Sequence, residues 1–239
     1  MEEADKIYNM IIGHSQFVPI MFSASKNDQP QKGTLLKVIL ALLKNHPKVC
    51  LSSQIPIYLG AYSGSLSQVD QTLLEILYIH EIDASINLNV FKPLVWGQAA
   101  IAKHSASVGK SQHTKNINGN GTAMKSMKTS EILALIKSDK MTKSSLNFPL
   151  AFDENLNREE LYDPRFFLSL SSQLCAKENF VDKHLKLIES GILGMSIASL
   201  SCREENIRQM GIVSLYRYYI QPSPDTRLDL VKEPQLSSL

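Results

Sequence analysis

The sequence predicts an all-α fold: an armadillo- or HEAT-like stack of helical repeats with a disordered basic insertion. Apolar residues recur at helical spacing along most of the chain, and the alternating β-branched runs typical of strands do not occur. Residues 162–219 also follow the order of an armadillo unit, with short helices, a glycine, a capping serine and a long helix. Because only one such unit is legible and repeat stacks need several, an ordinary helical bundle is the alternative.

The clearest helix signals lie at the start of this stretch. Asp163 precedes Pro164, and this pair is typical of a helix start, because aspartate caps free N–H groups and proline suits the first turn. A second helix is predicted at 181–190, and Gly191 should end it in the left-handed conformation. The apolar positions that we expect on these first helices are Phe166, Phe167, Leu170, Leu174, Leu185, Ile188, Ile192, Met195 and Leu200.

The last helix, predicted at 203–219, should begin with a capping box formed by Ser201 and Glu204. Its apolar residues cover a wide arc, so we expect other helices to pack against it on both sides. Gly211 lies inside that arc and costs about 1 kcal/mol relative to alanine, which indicates close approach to another helix. A polar, proline-containing tail follows, so one side of the helix should remain open. The expected partner- or repeat-docking face consists of Ile212, Tyr216 and Tyr219.

The N-terminal half also reads as a series of helices. We predict them at 3–12, 35–45, 54–62, 69–83 and 91–102, the last carrying Trp96. Thr34 is the expected cap of the second of these helices, and Pro47 should stop it, since the residue before proline avoids helical geometry. Either Ser65 or Ser67 caps the helix that begins at 69.

Composition is that of a globular protein, with 239 residues, 44% of them hydrophobic and 20% charged. The net charge of +2 is unevenly distributed, because residues 103–130 contain five lysines and no acidic residue. That segment is rich in Ser, Asn and Gly and is expected to be disordered. The predicted division is an N-terminal helical part at 1–102, a basic loop at 103–130, a C-terminal helical part at 131–221 and a polar tail at 222–239.

No pattern in the sequence indicates catalysis, a cofactor or a metal site. The six histidines lack zinc-ligand spacing, and Gly109-Lys110-Ser111 lacks the preceding glycine of a phosphate-binding loop. The three cysteines are odd in number and far apart, which favours reduced thiols in an intracellular protein. No apolar run is long enough to span a bilayer, and the N-terminus is acidic where a signal peptide is basic. We therefore expect no membrane contact and no small-molecule substrate.

The basic segment has two interpretations. Its lysines could neutralise RNA phosphates without sequence preference, or they could lie in a solvated loop. No aromatic residue is interleaved with them, so a stacking platform for single strands is not indicated. The possible RNA contacts are Lys103, Lys110, Lys115, Lys125 and Lys128.

Three segments, at 62–81, 90–97 and 162–211, resemble the C-terminal region of the Npa/Urb family of nucleolar pre-ribosomal-associated proteins. The most specific match is Tyr162-Asp163-Pro164 followed by Phe166 and Phe167. The resemblance covers roughly half of the chain and implies a helical-repeat protein of the nucleolus that has no catalytic residue. Family members are several times longer, so a fragment or truncated isoform is expected.

The leading hypothesis is a non-enzymatic scaffold in early assembly of the large (60S) ribosomal subunit and in pre-rRNA processing. The partners implied by the resemblance are pre-60S assembly factors and pre-rRNA or small nucleolar RNA. The alternative is a general armadillo-type adaptor that binds an extended peptide. Such adaptors carry a ladder of Asn and Trp, and this chain has one tryptophan. An enzyme would require a site that the sequence does not reveal.

Overall fold

The computed structural model describes residues 2–88, 95–102, 127–148, 157–175 and 184–220. Within these ranges the chain forms α-helices and short 3-10 turns and no β-strand, which confirms the all-α class. The repeat type stays a prediction. The chain divides into two compact units, Met1–Ser126 and Met127–Leu239, each of which has its own buried residues.

The first unit is built around two long helices that pack side by side. Leu36 and Ile39 of the first long helix, α3 (Gln29–Asn45), are fully buried, as are Leu73 and Ile76 of the second, α5 (Gln68–Ile82). The helices are α1 (Glu2–Ile12), α2 (Phe17–Phe22), α3 (Gln29–Asn45), α4 (Ile55–Ala61), α5 (Gln68–Ile82) and α6 (97–102). The short α4 is almost completely buried, as its apolar sequence predicted.

The predicted start of α3 is wrong, while its predicted end is confirmed. The helix begins at Gln29 rather than after Thr34, because Pro30 fits the first turn and Thr34 is an interior residue. The Thr34 hydroxyl donates to the Pro30 carbonyl at 2.9 Å, so it bonds backwards within the helix instead of capping it. The helix ends at Asn45, two residues before Pro47.

The helix predicted at 91–102 begins only at 97 in the described residues, because 95 and 96 are not helical. Trp96 is buried but precedes α6. Gly97 is the first residue of α6 and has a φ of +57°, a left-handed geometry that prevents the helix from continuing backwards to Trp96. Residues 89–94 lie outside the described ranges.

A buried carboxylate fixes the loop before α5. Asp70 is almost fully buried and accepts hydrogen bonds from the backbone N–H and the hydroxyl of both Ser63 and Ser65, at 2.5–3.1 Å. Ser67 is the cap of α5, since its hydroxyl accepts from the Asp70 N–H at 3.2 Å. Lys32 of α3 is also buried and donates to the Ala61 carbonyl at 2.9 Å. Burial lowers the pKa of Lys32, and the nearby Asp70 charge opposes that shift.

The second unit is a stack of helices in which the longest packs on two others. Its members are α7 (Thr129–Leu133), α8 (Ser138–Leu146), α9 (Pro164–Cys175), α10 (His184–Glu189), α11 (Ile192–Ser199) and α12 (Glu205–Ile220). Helix α12 contacts α9 and α11, and α11 also contacts α8. Helix α7 occupies the last two residues of the segment that was predicted as a basic loop.

The residues around Tyr162 anchor the start of α9. Asp163 is fully buried and accepts from the Arg165 backbone N–H at 2.9 Å, which confirms the predicted helix start. The Tyr162 hydroxyl accepts from the Lys137 N–H at 3.1 Å, and the Tyr162 N–H donates to the Ser144 hydroxyl at 2.7 Å. This motif therefore ties α9 to the start of α8 and to Ser144 near its end.

Gly191 has a φ of +75° and follows the end of α10, which confirms its predicted left-handed role. The predicted face of α10 is wrong, because Leu187 is fully buried while Leu185 and Ile188 are exposed. Leu200, which was expected on the apolar face of α11, is also exposed and lies just after that helix.

The predicted capping box before α12 is wrong. The helix begins at Glu205, and the Ser201 hydroxyl donates to the Ala198 carbonyl at 2.8 Å, at the end of α11. The guanidinium of Arg208 donates to the Cys202 and Arg203 carbonyls at 2.7 and 2.8 Å. A side chain from inside α12 therefore stabilises the turn before it.

Candidate docking surface

Helix α12 turns its smallest residues inward. A Cβ atom added to Gly211 would overlap the Ser199 hydroxyl and lie 3.0 Å from the Ser196 carbonyl oxygen. This geometry confirms the close helix approach that the sequence predicted at Gly211. Ile207 and Ser214 are also buried on this face.

Buried serines hold the contact together. The Ser171 and Ser214 hydroxyls lie 2.6 Å apart, and the Ser196 and Ser214 hydroxyls lie 3.0 Å apart. The Ser199 hydroxyl donates to the Ser196 carbonyl at 2.7 Å. All four serines are fully buried, so hydroxyl bonds join α9, α11 and α12 where apolar side chains would not fit.

Several large apolar side chains of α12 lie exposed on the opposite face. Ile212, Tyr216 and Tyr219 follow at spacings of four and three residues and are 47%, 62% and 67% exposed. Val213 and Ile220 are exposed beside them and extend the surface that the sequence predicted. We call these five residues the α12 face. Ile220 could have been identified from the sequence, because it lies eight residues after Ile212 and therefore near the same side of the helix.

The edge of the α12 face is held by Arg217. Its guanidinium donates to the Ser172 hydroxyl at 2.7 Å and to the Ser172 carbonyl at 3.2 Å. Behind it, burial raises the pKa of the Cys175 thiol to about 11 and that of Tyr218 to about 12. The thiol is therefore protonated near neutral pH and is a poor nucleophile. This arrangement is suited to holding helices together and presenting an apolar surface.

Elsewhere in the described residues, no group of three or more His, Cys, Asp or Glu side chains could hold a metal ion. None of the helices described is both long and apolar enough to cross a membrane. His80 is a core residue, with its Nδ1 atom 2.8 Å from the Ile76 carbonyl oxygen and its ring edge against Tyr58.

The lysines proposed as RNA contacts are mostly outside the described part of the chain. Lys103, Lys110, Lys115 and Lys125 lie outside the described ranges, and their contact with RNA stays a prediction. Lys128 is exposed at the start of α7, where its backbone N–H donates to the Glu131 carboxylate at 2.9 Å.

Two curated proteins align with most of this chain. Nucleolar pre-ribosomal-associated protein 1 of Mus musculus is 32% identical over 235 residues, which is 89% of this chain and 10% of that protein. The chain is homologous to a segment of nucleolar pre-ribosomal-associated protein 1. The Homo sapiens protein of the same name is 30% identical over 233 residues, again 89% of this chain and 10% of the relative. The resemblance expected from the sequence is thereby confirmed, and it extends well beyond the three segments that suggested it.

The chain spans about a tenth of the length of nucleolar pre-ribosomal-associated protein 1. Both relatives are named as nucleolar, which supports the nucleolar location implied by the family resemblance. No protein-family model matches the chain, and no solved structure matches it.

Proposed function

We propose that the chain is a non-enzymatic scaffold in early assembly of the large (60S) ribosomal subunit and in pre-rRNA processing. The observation that carries the proposal is the 32% identity, over 89% of the chain, to a protein named as pre-ribosomal-associated. Helix α12 supports it, because its glycine and serine lie in the helix contact while Ile212, Tyr216 and Tyr219 face outward. Such a division suits a protein whose work is to bind other macromolecules.

Pre-60S assembly factors would contact the α12 face. A cluster of exposed apolar side chains on one helix marks a protein-contact site, and tyrosine is enriched where such contacts are strongest. Pre-rRNA or small nucleolar RNA would contact the basic segment through Lys103, Lys110, Lys115, Lys125 and Lys128. Each phosphate neutralised would add to affinity and to its dependence on salt.

The test is affinity capture of the tagged chain from mouse cells, with gradient sedimentation, RNA sequencing and mass spectrometry. Wild-type chain should travel with large-subunit precursors and capture assembly factors and pre-rRNA. The triple variant Ile212→Gln, Tyr216→Gln, Tyr219→Gln should lose assembly factors. A matched control, Met10→Gln, Val38→Gln, Leu146→Gln, replaces equally exposed apolar residues elsewhere and should behave as wild type.

The full-length mouse relative serves as the positive control for the gradient. If it sediments with precursors while the wild-type chain stays at the top and captures neither RNA nor assembly factor, the proposal for this chain is wrong. Replacing the five lysines with glutamine tests the RNA contact separately. Direct contact predicts weaker RNA binding with a shallower salt slope, and an unchanged slope argues against these lysines.

A further inference from the structure

A second exposed ridge lies on the first unit, along α5. Gln71, Leu74, Tyr78 and Ile82 follow at spacings of three, four and four residues, the pattern of a seam between paired helices. Tyr78 and Ile82 are 59% and 53% exposed and Gln71 and Leu74 are half-buried, while Leu73, Ile76 and His80 on the other side of the helix are fully buried. We call these four residues the α5 ridge.

The surroundings of the α5 ridge are acidic. Residues 68–91 contain four acidic residues and neither lysine nor arginine. Asp70 is buried and bonded to serines, and Glu75 pairs with Lys44 at 2.6 Å. Glu81 and Asp83 are exposed, and neither forms an ion pair with any residue that the structure describes.

The uncompensated acids lie at the exposed end of the ridge. Glu81 is adjacent to Ile82 and three residues from Tyr78, and Asp83 follows the last residue of the helix. This is also the carboxyl end of α5, where the helix dipole adds negative partial charge. A pair of apolar side chains is therefore set in negative potential, which disfavours a phosphate backbone and favours a cationic partner.

We propose that the α5 ridge is a docking site for a basic amphipathic helix of a partner protein. Apolar residues of that helix would pack on Leu74, Tyr78 and Ile82, and its lysines or arginines would approach Glu81 and Asp83. Tyr78 suits the centre of such a contact because its ring buries apolar area while its hydroxyl stays hydrated. The ridge lies in a different unit from the α12 face, so this inference goes beyond the proposed function and does not depend on it.

The test uses the full chain and two synthetic helical peptides with the same leucine seam, one flanked by lysines and the other by glutamates. Fluorescence anisotropy should show that the lysine peptide binds about tenfold more tightly or better, with affinity that falls as salt is raised. The variant Tyr78→Gln, Ile82→Gln should weaken its binding by about tenfold or more. The charge variant Glu81→Lys, Asp83→Lys should shift the preference toward the glutamate peptide.

The triple variant of the α12 face is the control and should bind the lysine peptide as wild type does. Circular dichroism should show that every variant keeps wild-type helicity, as expected for exposed positions. Equal binding of the two peptides, or undiminished binding by the Tyr78 and Ile82 variant, would overturn the proposal. Failure of both peptides to bind would overturn it too, as would loss of binding in the α12 control.

Discussion

At the scale of single residues, Gly211 determines how closely α12 approaches α11. Gly211→Ala should destabilise the second unit by about 1–3 kcal/mol, because the added methyl group would overlap the Ser199 hydroxyl and crowd the Ser196 carbonyl. Urea unfolding followed by circular dichroism measures the change. Ser199→Ala in the same chain should recover part of the loss by removing the overlapping hydroxyl.

Gly194 of α11 provides the matched control. A Cβ atom there meets only the Ser145 hydroxyl, at 3.9 Å, which is an ordinary contact. Gly194→Ala should be neutral or stabilise by up to about 1 kcal/mol, since alanine favours the helix. Equal effects of the two substitutions would show that close packing is not the reason for Gly211.

His80 should make the first unit sensitive to acid. Burial lowers the pKa of its imidazole, and the hydrogen bond to the Ile76 carbonyl only partly opposes this. The unfolded chain therefore binds a proton at pH values where the folded protein does not. Consequently the free energy of unfolding should fall as the pH drops below about 6.5, the ordinary histidine value, and level off once folded His80 is also protonated.

Urea titrations between pH 7.5 and 5 measure this effect, and His80→Gln should make the pH dependence shallower. His46→Gln is the control, because His46 is exposed at the end of α3. A His80 variant with the wild-type pH dependence would contradict the prediction.

At the scale of elements, local signals predicted where helices end better than which face they bury. Pro47 and Gly191 act through their own backbone geometry, so the sequence alone identifies them. The capping box predicted at Ser201 was wrong, because the spacing of a serine and a glutamate does not reveal that the serine hydroxyl already bonds the preceding helix. Helix α10 has fewer than two turns, so periodicity could not select Leu187 over Leu185 and Ile188.

The α12 face follows from the same reasoning applied to a longer helix. The sequence identified Ile212, Tyr216 and Tyr219 because sixteen residues give enough turns to define sides. It could not reveal that glycine and serine would form the closest part of the inner contact, beside Ile207. That outcome depends on how closely three separate helices approach, which is a tertiary property.

The α12 face should also make the isolated chain bind a hydrophobic dye or self-associate. The Gln triple variant at 212, 216 and 219 should reduce both effects while leaving the melting temperature nearly unchanged, because the three side chains are exposed. Dye fluorescence and light scattering measure this, with the Met10, Val38 and Leu146 triple as control. Destabilisation of several kcal/mol would mean that the face is buried in solution.

At the scale of the whole molecule, the two units contain separate cores on either side of residue 126. The segment before that boundary, 103–126, is poor in aliphatic residues, so it offers little surface to bury. Deleting 103–126 should therefore leave the melting temperature and the helical signal per remaining residue nearly unchanged. A large loss of helicity would show that this segment contributes to folding.

A function could be inferred only from the chain as a whole and not from single residues. Asp70, Asp163 and the buried serines are chemically conspicuous, yet each has a structural role. Asp70 fixes the loop before α5, Asp163 caps α9, and the serines join α9, α11 and α12. No residue pattern distinguishes such structural polar groups from functional ones before their partners are known. The proposed function rests instead on the family resemblance, which the alignment over 89% of the chain supports.

The hydrogen bonds between the buried hydroxyls of the second unit all run in one direction. A serine has one proton to donate, and Ser196 donates its own to the Ile192 carbonyl at 3.1 Å. Ser214 must then donate to Ser196, which leaves Ser171 to donate to Ser214. The chain of hydroxyls is thus polarised and its two ends are not equivalent. Ser171→Ala leaves the protons of Ser214 and Ser196 with their acceptors. Ser196→Ala, by contrast, leaves the Ser214 proton without its acceptor. Chemical unfolding should therefore find the second substitution more destabilising, by about 1–3 kcal/mol.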